Sequence, residues 1–298
     1  MNSHQLIAAE ILSHVEVIAT IYQLVKEAGK FATRRILKEG LQNKVCIMMP
    51  YEKGINRVSA TCLETTKYSA VYDPNHLTIM GGAAFNLYDY KVTNLKKRRS
   101  LSELKEYIKK RTSDIDINWW PVVTTRNNVM VKDMIVVAAS PAISTLKDYF
   151  MMELIRIFDQ HADQLLELIR PYLPGSNVGY KLKTSIYHFF TPKAGVYNIG
   201  ITFIVKNYIL KMCDINIHDS GASQRYDKNG EEITDLRPMT DDPTYSSPDP
   251  SNPYSISYLT VGEYDVAVPN IIGLVDQQLF AFSNLIRQDN MKYIVNYR

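Results

Sequence analysis

Three aspartates carry the most chemical information in this sequence. Asp114 and Asp116 stand two apart in Asp-Ile-Asp-Ile-Asn (114–118), and Asp214 opens a second alternating run, Asp-Ile-Asn-Ile-His (214–218). Side chains two apart on a strand share a face, so the first pair puts four hard oxygens over one patch, a donor set suited to Mg²⁺. A third carboxylate from an adjacent strand completes sites for two ions about 3.5–4 Å apart, which activate an attacking hydroxyl and stabilise a leaving phosphate. Gly81-Gly82 lies upstream, between a strand-like and a helix-like run. Glycine lets a phosphate approach the backbone closely, and the N-terminus of the next helix supplies N–H donors and partial positive charge.

Each piece also has a plainer use. Gly-Gly marks tight turns, and an Asp-x-Asp strand is commonly a solvated face. Here, however, the acids alternate with isoleucines and run into Trp119-Trp120-Pro121, which read as packing residues. Like charges so placed repel unless a counterion joins them. Asp219 is a rival third acid, but alternation puts it opposite Asp214, Asn216 and His218, and Ser220-Gly221 already ends the run. His218 shares the acid face and reads as a hydrogen-bonded structural residue, since metal-activated transfer needs no histidine base.

The elements that must position these residues follow from periodicity. Apolar residues at helical spacing from Leu6 to Lys26 predict a packed helix ending at Gly29, with a second helix to Gly40. Val45–Met49 and His76–Met80 read as short strands, and Ala83–Tyr90 as helix. Val129–Ala139 reads as a strand, and Ile143–Leu173 carries a long helical pattern ending at Pro174-Gly175. Tyr180–Phe190 and Tyr197–Val205 are strand-like and joined by a turn of hairpin length over Pro192–Gly195. Residues 238–255 contain Pro238, Pro243, Pro248, Pro250 and Pro253, which suit a long loop, and helical periodicity returns from Pro269 to Arg298. The expected fold is α+β: a mixed sheet flanked by helices, with an N-terminal helical extension (1–72), a core (73–222), and a proline-rich loop with a C-terminal helical segment (223–298).

Gly81-Gly82, then Asp114-Ile115-Asp116-Ile117, then Asp214 in its own strand resemble the signature of the nucleotidyltransferase superfamily that includes DNA polymerase beta and the poly(A) polymerases. More closely, Ile-Met-Gly-Gly-Ala-Ala (79–84), Thr-Ser-Asp-Ile-Asp-Ile (112–117) and Cys-Asp-Ile-Asn-Ile-His-Asp (213–219) resemble poly(A) polymerase catalytic subunits of large cytoplasmic DNA viruses. The resemblance spans about residues 75–220. It implies a nucleotidyltransferase-like sheet, ATP as substrate, Mg²⁺ or Mn²⁺ as cofactor, and addition of AMP to an RNA 3′ hydroxyl in the cytoplasm. Gly81 and Gly82 would hold the triphosphate and Asp114 and Asp116 would ligate both metals. Asp214 would bind only the metal that activates the hydroxyl. The chain departs from the family in having Ala83 where a serine hydroxyl usually meets phosphate, and in a longer interval from Gly82 to Asp114. Two alternatives therefore stand beside the polymerase: a catalytically silent subunit of the same fold that binds RNA or protein, and an enzyme transferring nucleotides to a small molecule or protein.

Composition narrows the field further. With 298 residues, 46% hydrophobic and 22% charged, the chain can bury a core. Its net charge of +3 is too small to name a partner, so local charge decides. From Lys91 to Arg111 nine basic residues, among them Lys96, Lys97, Arg98 and Arg99, face only Glu103 and Glu106. Such a run suits sequence-independent RNA contact through phosphates. It equally suits a solvated amphipathic helix, because Leu101, Leu104, Tyr107 and Ile108 form an apolar stripe. Cys46, Cys62 and Cys213 form no CxxC pair, which favours a reducing compartment over a disulfide framework. The longest apolar runs fall short of the ~20 residues that cross a bilayer, so no membrane partner is expected, while a homodimer or a partner subunit remains open.

Overall fold

A computed structural model describes residues 3–39, 44–49, 59–64, 71–72, 77–96, 114–119, 122–123, 137–139, 142–175, 179–191, 196–218, 225–226, 232–233 and 256–275. The chain opens with helices α1 (Ser3–Ile11) and α2 (Val15–Lys38), then strands β1 (Lys44–Met49), β2 (Ser59–Glu64), β3 (Val71–Tyr72) and β4 (Leu77–Met80). Helix α3 (Gly81–Lys96) leads to β5 (Ile115–Trp119), β6 (Val122–Val123) and β7 (Val137–Ala139), followed by helices α4 (Ala142–Gln160) and α5 (Ala162–Ile169). Strands β8 (Leu182–Thr191), β9 (Val196–Val205), β10 (Tyr208–His218), β11 (Arg225–Tyr226), β12 (Glu232–Ile233), β13 (Ile256–Val261) and β14 (Tyr264–Pro269) complete the order.

Alternating sequence builds the central element, a five-stranded mixed sheet in the order β4-β5-β10-β9-β8. The β8–β9–β10 meander is antiparallel and β4 runs antiparallel to β5, but β5 and β10 are parallel. Ile79, Ile115, Ile117, Ile199, Ile201, Ile215 and Ile217 are all fully buried, because alternation aims every one of them at the same side. Helices α2 and α4 supply what they pack against. Trp119 meets Phe150 of α4 with ring centroids 4.8 Å apart, and Phe158 meets Phe203 at 6.1 Å. The molecule is thus α+β, with a mixed sheet flanked by helices. Smaller pairings join β1 to β2 and β7, β3 to β6, β11 to β12, and β13 to β14.

Two expectations from the sequence are corrected. The first concerns Gly29, which does not end a helix: α2 runs through it to Lys38. A Cβ at Gly29 would lie 3.2 Å from Leu77 Cδ1 and 3.6 Å from the Trp119 ring, so glycine serves there to let α2 lie close on β4 and β5. The break instead falls at residues 12–14, where the axis turns by 87° between α1 and α2. The Ser13 hydroxyl donates to Glu10 O at 2.7 Å, the local bond by which serine competes with helix continuation.

The second correction lies in the segment read as proline-rich loop and helix. Ile256–Val261 and Tyr264–Pro269 form an antiparallel hairpin, turned at Gly262 with φ +60°, a left-handed conformation that glycine adopts without strain. Its Val261, Val266, Ala267 and Val268 join the core. Asn270 Oδ1 then accepts the Ile272 N–H at 3.0 Å, capping helical residues 271–275. Residues 276–298, the proline cluster, Trp120 and Asp219 lie outside the described residues.

Among the described residues no single helix is long and apolar enough to cross a membrane. The apolar residues of α1 and α2 are spent on the core instead, with Ile11, Ile18, Ile21, Tyr22 and Val25 fully buried. Tyr22 adds a polar tie: its hydroxyl donates to Leu77 O at 2.9 Å, pinning α2 to the strand that leads into Gly81, and burial pushes its pKa upward. Replacing Tyr22 by Phe leaves the ring packed but orphans that carbonyl. The expected loss is about 1 kcal/mol of unfolding free energy, read from urea denaturation.

Candidate functional site

The site is set by strand register. Asp214 on β10 pairs directly with Asp116 on β5, and Asp116 pairs in turn with Met80, the last residue of β4. Residues opposite each other in adjacent strands point to the same face. Because Ile115, Ile117, Cys213 and Ile215 are buried on the helix-covered side, the two aspartates emerge on the other. Asp114 sits just before β5 and joins them there. One carboxylate oxygen from each of Asp114, Asp116 and Asp214 lies within 4.8 Å of the others. The asparagines one step along the strands keep the same register, with Asn216 Nδ2 donating to Asn118 Oδ1 at 3.2 Å.

A basic residue that sequence reasoning missed completes the cluster. Lys211 Nζ donates to Asp114 Oδ2 at 2.9 Å and also forms an ion pair with Asp214. Strict alternation would put Lys211 and Asp214, three apart, on opposite faces. A β-bulge between Lys211 and Cys213 inserts one residue and reverses the parity, so Met212 and Cys213 are both buried and Lys211 turns toward the acids. Two adjacent apolar residues inside an alternating strand were the one available signal. Burial works against the Lys211 ammonium, but hydrogen bonds and charge from Asp214 and Asp114 outweigh it and raise its pKa above the ordinary lysine value. Burial, followed by the charges of Asp214, Asp116 and Asp114, likewise pushes the Cys213 thiol up, so this cysteine stays neutral behind the site.

Gly81 and Gly82 open α3 directly after β4. Gly81 has φ +60°, and a Cβ added there would meet Asp116 Oδ2 at 3.2 Å. The diglycine bend and the acid cluster are therefore in contact, and the first turn of a 16-residue helix presents its N–H groups beside them. Ala83 and Ala84 follow, fully buried.

The donor set fits a hard divalent cation. Three carboxylates offer only oxygen, and their separations approach the roughly 4 Å span across an Mg²⁺ coordination sphere. Side-chain exposures of 14% for Asp114 and 29% for Asp214 leave the oxygens accessible from solvent. The expected RNA contacts at Lys97, Arg98 and Arg99 lie outside the described residues, and α3 ends at Lys96.

Two substitutions probe this arrangement. Gly81→Ala forces a left-handed backbone on a residue with a Cβ, an expected cost of about 1–2 kcal/mol in denaturant unfolding. Lys211→Met removes the internal cation, so Mn²⁺ titrated against the protein alone is expected to bind about five- to tenfold more tightly than to wild type, measured by electron paramagnetic resonance. No protein-family model, curated protein or solved structure matches the chain, and the site is read from its own chemistry.

Proposed function

We propose that this chain is a template-independent nucleotidyltransferase that adds AMP from ATP to RNA 3′ ends, a poly(A) polymerase of nucleotidyltransferase-like fold. One observation carries the reading: Asp114, Asp116 and Asp214 converge on one sheet face, in contact with the diglycine that starts α3.

The residues divide the work by position. Gly81 and Gly82, at the head of α3, receive the triphosphate on backbone N–H groups. Asp114, Asp116 and Asp214 would hold Mg²⁺ or Mn²⁺. When bound, the ions lower the pKa of the RNA 3′ hydroxyl and offset charge on the leaving phosphate. The RNA 3′ hydroxyl gives its proton to solvent water while its oxygen forms a bond to the α-phosphorus, the bond to the β-phosphate oxygen breaks, and pyrophosphate departs with that electron pair. Lys211, which bridges Asp114 and Asp214, would turn from the carboxylates toward phosphate if cations took its place on the acids. The basic stretch around Lys96, Lys97, Arg98 and Arg99 supplies sequence-independent RNA affinity.

The same ion pairs favour a second reading. A lysine that already neutralises the acids suits a catalytically silent member of the fold that binds RNA or protein without needing a metal. Labelled NTPs offered singly with Mg²⁺ or Mn²⁺ and an RNA primer separate the two readings. The expected outcome is metal-dependent primer extension with ATP. Asp116→Ala is expected to lower it at least about a hundredfold with an unchanged melting temperature. Undiminished extension by Asp116→Ala, or none by wild type under any of these conditions, excludes the proposal.

A further inference from the structure

The register row that joins the two central aspartates continues across the sheet. Asp214 pairs with Gly200 on β9, and Gly200 pairs with Tyr187 on β8. Met80, Asp116, Asp214, Gly200 and Tyr187 thus form one line on one face, and Gly200 is flanked by the fully buried Ile199 and Ile201 on the other. The Tyr187 side chain does not stand away from the sheet. A Cβ built at Gly200 would fall 2.1 Å from Tyr187 Cζ and 2.3 Å from its hydroxyl, so the ring reaches across the neighbouring strand and fills the space that a side chain would take. Its tip therefore lies about one strand spacing, ~5 Å, from the Asp214 strand, while the residue keeps 41% exposure.

This line has a direction. Phosphates belong at its Gly81 end, where the helix N-terminus lies. In-line displacement puts the attacking oxygen on the side of phosphorus opposite the leaving group, which is the Asp214 end. The terminal nucleotide of the acceptor therefore approaches over Gly200 and Tyr187. An exposed aromatic ring beside the attacking hydroxyl is a surface on which any base can stack.

We propose that Tyr187 is the stacking platform for the 3′-terminal base of the acceptor strand, seated by the missing side chain of Gly200. The inference rests on the nucleotidyltransferase reading and deepens it, because a base platform on the acceptor side specifies a nucleic acid rather than a small molecule or a protein. Tyr187 is a positioning residue, and it acts on the acceptor without touching ATP. A cross-strand aromatic also shields a glycine backbone, and the test separates that use from stacking.

The probe is a single-stranded RNA oligonucleotide with 2-aminopurine at its 3′ end, whose fluorescence is quenched on stacking, bound to the full chain without nucleotide. Primer extension runs in parallel. Tyr187→Leu, which still covers Gly200 but cannot stack, is expected to abolish the quench and raise the acceptor KM about tenfold, with ATP KM within twofold of wild type. Tyr187→Phe is expected to restore both. Gly200→Ala, which displaces the ring tip and leaves the aspartates in place, is expected to behave like Tyr187→Leu. A lower melting temperature with unchanged quench and acceptor KM would assign Tyr187 to covering glycine alone and overturn the proposal. Because the quench needs no turnover, an inactive wild type would defeat the polymerase reading while this experiment still decides the platform.

Discussion

Three carboxylates gathered within a few ångströms repel one another, and the architecture of this protein is organised around meeting that repulsion. At an effective dielectric constant near 20, two unit charges 4 Å apart cost about 4 kcal/mol, so Asp114, Asp116 and Asp214 stay ionised together only beside positive charge. The chain supplies some of its own. Lys211 bridges two of the three acids, and Gly81, the first residue of α3, lies against Asp116. The acids thus share an internal cation, Lys211, between Asp114 and Asp214.

Backbone pairing, rather than side-chain flexibility, produces this convergence. The parallel register of β5 and β10 sets Asp116 against Asp214, and a one-residue slip would carry Asp214 to the apolar side. That slip is opposed by the Ile115, Ile117, Cys213 and Ile215 layer, all fully buried, and by Trp119 against Phe150. Packing on the helix-covered face therefore fixes the geometry on the acid-bearing face. The bulge at Met212 adds the one departure from regularity that the site requires.

Much of this was legible in the sequence, and the reason lies in period-two alternation. Asp-Ile-Asp-Ile and Asp-Ile-Asn-Ile state their own facing, and the shared pattern placed all three acids on one side. The diglycine before a helix was visible for the same local reason. What failed to show depends on contacts between distant segments. Gly29 reads locally as a stop, yet it lies inside a continuing helix, packed closely on Leu77 and Trp119 from far along the chain. The β13–β14 hairpin was masked by its proline-rich neighbour, although Ile-Ser-Tyr-Leu-Thr-Val before a glycine carried a partial strand signal. Lys211 showed only through the adjacent Met212 and Cys213, and Tyr187 not at all, because a bulge and a cross-strand register are properties of pairing, not of composition.

The parallel pairing of β5 with β10 also sets an order of events during synthesis. Its partners lie 98 residues apart, as the Asn118–Asn216 bond records, whereas β8, β9 and β10 are consecutive antiparallel strands. At ribosomal speeds of roughly 5–20 residues per second, Asp114 and Asp116 wait about 5–20 s for their third partner to emerge. During that interval β5 has its β4 neighbour but a bare edge on the other side, a state prone to mispairing with foreign strands. Closure of the loop that brings β10 home therefore ends the exposed phase of folding and assembles the acidic cluster in a single step.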